Sequence, residues 1–193
     1  MFLEMALMAV VDAASPGDPE TVVRAMGPAV VQLVARPEVT VVPYSVPGRN
    51  AQAIRRNMDR LRPSEPAGQR FDALTTWQFS TRWGGGQGRC DPQTSEARVG
   101  VLVQLPYLAE GERLRRGDRG RWDRYFTALV SHETHHAKLA IEGANQMQAE
   151  MRLAQSCDQL ADIVDRRAEA ILEATVHYDA LTDHGRKEGA VFP

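Results

Sequence analysis

The strongest hydrophobic pattern in the chain lies in its second half and has a helical period. From Trp122 to about Leu153, Trp122, Phe126, Leu129, Val130, Glu133, His136, Ala140 and Met147 recur at the spacing of one helix face. A second helix is expected from about Asp158 to Leu181, through Leu160, Val164, Ile171, Ala174 and Tyr178. The turn near Gln155–Cys157 is short, so the two helices are expected to run antiparallel.

Upstream the period falls to two. In "FDALTTWQFSTRW", Leu74, Thr76 and Gln78 alternate with Thr75, Trp77 and Phe79, and "ARVGVLVQLPYL" at 97–108 returns as a second strand. The Gly-rich stretch 84–96 between them makes a hairpin with a long loop. Its glycines have neither the spacing nor the Lys of a phosphate loop. Residues 39–46, "VTVVPYSV", are β-branched, and Pro43 points to an edge position or a bulge. Ile54, Met58 and Leu61 mark an early helix with Asn50 as N-cap and Pro63 as stop. Before the strand, Pro- and Gly-punctuated residues 15–38 hold one short helical stretch. The charged segment 109–121, with three glycines, reads as an exposed connection.

Composition narrows the function classes. At 193 residues the chain is most simply one domain, residues 39–193, preceded by an N-terminal segment 1–38. The net charge of −2 and 6% aromatic content argue against a nucleic-acid surface. No apolar run reaches the roughly 18–20 residues of a membrane span, so no stable membrane insertion is expected. The N-terminal "MFLEMALMAVVDAAS" has a short apolar stretch from Met5 to Val11 but an acidic Glu4 in place of positive charge. It reads as a degenerate or truncated export signal, or as no signal. Cys90 and Cys157 are too few and too far apart for a zinc knuckle. They are two separate thiols or one disulfide closing a long loop.

The chemistry sits on the long helix, in "SHETHHAKLAIEG" at 131–143. His132, Glu133 and His136 form H-E-x-x-H. Residues four apart stack on a helix, so both imidazoles can meet one ion, and the glutamate between them can take a proton from its water. A polar helix face can match so short a pattern by chance, but His132 and His136 continue the apolar stripe of Phe126 and Leu129. His135 departs from that geometry and reads as outer or exposed. The metzincin extension fails, because Leu139 and Glu142 stand where glycine and histidine are needed. The third ligand must come from the partner helix, where Glu173, His177, Asp179 and His184 are candidates. Helical rise puts 132–136 opposite roughly 174–178, which favours His177 or its neighbours.

The order of short blocks "YSVPG", "TTWQFSTRW", Cys90, "QLPYL", "RWDRYFTALVSHETHH" and "YDALTDHGRKEGAVFP" resembles a bacterial domain family of undefined function, described as secreted zinc-dependent proteases. The resemblance implies an α+β, zincin-like domain: a small, mostly antiparallel sheet, one early helix and two long antiparallel helices carrying the site. It implies a Cys90–Cys157 disulfide and a periplasmic or secreted location. It makes His184 the preferred third ligand for Zn²⁺ beside His132 and His136, and Tyr178 an oxyanion stabiliser. The expected activity is hydrolysis of a peptide or protein substrate with Glu133 as general base. The alternative is a zinc-binding module with a structural metal and no hydrolysis.

Overall fold

The computed structural model describes residues 18–65, 67–85, 91–109 and 114–193. Three strands, β1 (Val39–Val46), β2 (Leu74–Gly84) and β3 (Asp91–Leu108), form one sheet in the order β1-β3-β2. β2 and β3 are the expected antiparallel hairpin, with Trp77 opposite Val101. β1 runs parallel to β3, with Pro43 opposite Leu105, so the sheet is mixed rather than mostly antiparallel. The physical reason is the connection. A parallel neighbour needs a long crossover, and the chain between β1 and β3 contains a helix and the whole of β2. The proline is tolerated because β1 is an edge strand.

The early helical content is larger than one helix. α1 (Pro19–Met26) is capped by the Asp18 side chain, which accepts from the Glu20 and Thr21 amides. It stops at Gly27 (φ 83°), whose left-handed backbone is followed by a 3₁₀ turn and a short α2 (Val31–Val34). Val22, Val30 and Leu33 from this segment are buried in the same core as the sheet. α3 (Ala51–Leu61) begins as expected, with the Asn50 carboxamide accepting from the Ala53 amide at 2.9 Å. It ends at Leu61, because Arg62 precedes Pro63 and adopts extended backbone.

α4 (Arg116–Met151) and α5 (Cys157–Thr182) are the two long helices. α4 starts about two turns before Trp122, so the end of the supposed connection is helix. Gly117 has open space around it and a Cβ at Gly120 would meet only the end of the Arg124 side chain at 3.6 Å, and a helix interior accepts such glycines at a cost of about 1 kcal/mol each. α5 is capped by Ser156, whose hydroxyl accepts from the Gln159 amide. Paired residues run in opposite directions along the helices: Glu150 with Arg166 and Arg167, Gly143 against Ile171, His136 with Asp179. The pair is antiparallel. Gly143 allows this close crossing, since a Cβ there would lie 2.3 Å from the Ile171 side chain.

α4 buries its apolar stripe against the sheet, where Val101, Val103 and Leu105 meet Tyr125, Phe126 and Leu129. α5 covers the other side of α4. A second cluster of Met147, Met151, Leu160 and Ile163 closes the far end against Phe79 and Ala97. The C-terminal tail returns to the start of α4, where Phe192 packs edge-on to Trp122. No described helix is long and apolar enough to cross a membrane.

Candidate metal centre

His132, Glu133 and His136 lie at the middle of α4, each about 5% exposed or less. Buried polar side chains are scarce among the described residues: Ser95 and Thr182 complete the set. Burying three ionisable groups on one helix turn costs stability unless each is satisfied, so their partners carry the information.

α5 brings Asp179 to the two histidines. Asp179 Oδ1 is 3.1 Å from His132 Nε2 and 3.1 Å from His136 Nε2, and the two imidazole nitrogens are 3.1 Å apart. Three ligand-type atoms thus form a nearly equilateral triangle. Four ligand atoms at 2.0–2.1 Å around a tetrahedral zinc are separated by roughly 3.3 Å, close to this edge. His132, His136 and Asp179 could therefore hold a metal ion together.

The proton positions sharpen this. The other nitrogen of His132, Nδ1, is 2.9 Å from Glu188 Oε2. An ionised carboxylate only accepts, so Nδ1 carries the hydrogen and a neutral His132 turns the lone pair of Nε2 toward Asp179 and His136. Lone pairs converging at this distance repel unless a cation or a proton lies among them. The titration behaviour agrees. Burial pushes the Asp179 carboxyl up, but the two histidines beside it, donating when protonated, outweigh it and hold it well below the ordinary range. Burial works against a charged His132, yet Asp179, Glu133 and Glu188 hold its pKa above the usual value. The site attracts positive charge.

Glu133 stands beside the triangle. Thr75 on β2 donates its hydroxyl to Glu133 Oε2 at 2.6 Å. Burial pushes the Glu133 carboxyl up, and the Thr75 hydrogen bond and nearby histidines only partly offset it. A carboxylate whose pKa is raised is a stronger proton acceptor than a solvated one.

The remaining sequence candidates fall around this centre. His184 lies just past α5, half exposed, with Nδ1 3.6 Å from Asp179 Oδ1 and its ring 5.4 Å from Phe71. It is adjacent to the triangle but outside the set of atoms within 4.8 Å of one another. His177 and Glu173 are exposed on α5, and His135 is exposed on α4 with its ring stacked on Tyr178 at 3.9 Å. Tyr178 directs its hydroxyl to Glu188 Oε1 at 2.7 Å. Cys157 opens α5, while Cys90 is outside the described residues, as are residues 1–17 with the apolar stretch Met5–Val11, read as a degenerate or truncated signal or as none.

Two residues at the site escaped sequence reasoning. Thr75 had a weak signal, as a polar residue on the inward face of a strand that continues with Trp77 and Phe79. Glu188 had none, because a turn-rich tail does not say where it folds back.

Residues 41–185 match the family described as a bacterial protein of unknown function (DUF922). No curated protein and no solved structure matches the chain.

Proposed function

From a chain that belongs to the bacterial DUF922 family, whose description assigns no activity, we propose a zinc-dependent peptidase of zincin-like architecture. One observation carries the reading. An H-E-x-x-H helix presents two buried imidazole nitrogens and a carboxylate oxygen in a triangle of 3.1 Å edges, with a buried glutamate between the histidines. His132, His136 and Asp179 would hold the ion, and His184 would sit at its exposed side.

A zinc ion held there would supply two things, a water whose pKa falls to about 7 and a Lewis acid that polarises the scissile carbonyl. Glu133 takes the proton of the attacking water and delivers it to the leaving amine, held at Oε2 by Thr75. β2 is an edge strand and carries Thr75, so an extended peptide paired along it would lie next to Glu133. Export to the periplasm or the exterior, with Cys90 and Cys157 bridged, belongs to the same proposal.

Glu133→Gln tests it. The variant is expected to keep the fold and bound zinc, measured by elemental analysis, and to lose peptide hydrolysis by about 10²–10⁴-fold. Wild-type protein that holds one zinc per chain and cleaves nothing across a broad peptide library would instead favour the structural-metal reading.

A further inference from the structure

We propose that Glu188 is a positioning residue that fixes the tautomer and orientation of His132, and that Tyr178 acts by aligning Glu188. The inference rests on the metal-centre reading for its purpose, but on independent contacts for its geometry.

Both oxygens of Glu188 are committed. Oε2 takes His132 Nδ1 at 2.9 Å, and Oε1 takes the Tyr178 hydroxyl at 2.7 Å. The carboxylate therefore cannot rotate without losing a partner. The Tyr178 ring also stacks on the His132 ring, with centroids 5.0 Å apart and planes within 20°. This assigns Tyr178 a different part from oxyanion stabiliser, because its proton already points at Glu188.

The tail that delivers Glu188 is tightly turned. After α5, Asp183, His184 and Gly185 are left-handed in succession (φ 52°, 50° and 78°), and the His184 amide returns to the Asp179 carbonyl at 2.9 Å. The Glu188 and Ala190 amides both bond the Gly185 carbonyl at 3.0 Å. Gly185 lies directly against His132, since a Cβ there would come within 3.0 Å of the ring Cγ. Phe192 then locks the tail against Trp122 and Tyr125. One turn thus brings a carboxylate to the outer nitrogen of His132 and packs Gly185 close to the ring.

The support is one-sided. His136 Nδ1 is buried without a partner among the described residues. A carboxylate behind a ligand histidine sets which nitrogen faces the ion and raises its basicity. His132 has that device and His136 lacks it.

The test compares wild type with Glu188→Ala, Glu188→Gln and Tyr178→Phe in the full chain. Zinc affinity is measured by chelator competition, the His132 tautomer by nitrogen-15 NMR of the metal-free protein at a pH where the ring is neutral, and metal-free stability by thermal unfolding. Glu188→Ala is expected to weaken zinc binding about 10–100-fold and to remove the Nδ1–H form of His132. Glu188→Gln, which keeps one acceptor oxygen, should restore part of both. Tyr178→Phe, which removes only a hydroxyl, should shift both in the same direction by less and reports even if Glu188→Ala does not fold. Unchanged zinc affinity with the Nδ1–H tautomer retained in the variants overturns the proposal. If wild type binds no zinc, the metal reading falls on its own. The tautomer then still decides: its loss in Glu188→Ala supports the positioning role, and its persistence overturns it.

Discussion

Two half-buried aspartates, Asp72 and Asp179, show how similar polar clusters can serve different ends. Asp72 accepts a two-pronged contact from Arg55 at 2.6 and 2.7 Å and the Tyr125 hydroxyl at 2.9 Å, and its backbone carbonyl takes the Tyr44 hydroxyl. Asp179 meets two imidazole nitrogens. Both carboxyls are held below their ordinary values against the upward push of burial, Asp72 chiefly by Arg55 and Asp179 by His132 and His136. The difference is in the partners. A guanidinium brings a permanent charge and fixed donors, so the Asp72 cluster is complete as it stands. Imidazoles bring lone pairs as readily as protons, so the Asp179 cluster is completed only by something positive among its atoms. The first is a structural tie that joins α3, β1 and α4 to the segment before β2. The second could hold an ion.

Replacing each aspartate should separate these roles. Asp179→Ala removes a proposed ligand, and its zinc affinity should fall further than the roughly 10–100-fold typical of an outer partner. His184→Ala, measured by the same competition, should fall less. The reverse order would make His184 the third ligand. Asp72→Ala takes one of two carboxylates from Arg55, which keeps Asp59, and the acceptor from the Tyr125 hydroxyl, and should cost about 2–3 kcal/mol in denaturant unfolding, with zinc affinity unchanged. An equal loss of metal would break the contrast. The smallest effect is in acid. An aspartate whose folded pKa is depressed adds stability that is complete above its unfolded value of about 3.9 and is lost as pH falls through the lower folded value. Metal-free wild type should therefore lose more stability between pH 5 and pH 2 than Asp72→Asn, by urea unfolding at each pH. Parallel pH curves would show that Asp72 contributes no linkage.

Much of this was legible along the chain, for local reasons. Asn50 caps α3 and Pro63 stops it because capping and ring closure act within a few residues. The stripe Trp122, Phe126, Leu129, His132 and His136 is one face of α4 because a helix repeats. Thr75, Trp77 and Phe79 share the inward face of β2 because a strand alternates. The parallel pairing of β1 was not legible, since a strand's own residues do not say which neighbour it joins after a long crossover. α4 began earlier than expected because an Arg- and Gly-rich segment carries no apolar stripe to announce a helix, and the exposed turns need none.

The sequence by itself determined that two histidines and a glutamate share one helix turn, which follows from spacing alone. It also directed the expectation of a third ligand to the returning helix and the turn after it, because the metzincin pattern stops at Leu139. Only the tertiary structure decided which groups meet them. Asp179 reaches both Nε2 atoms through the register of two antiparallel helices. Thr75 reaches Glu133 across the sheet, and Glu188 reaches His132 through a left-handed turn anchored by Phe192. Each of these distances depends on packing between elements far apart in sequence, and no local periodicity encodes it.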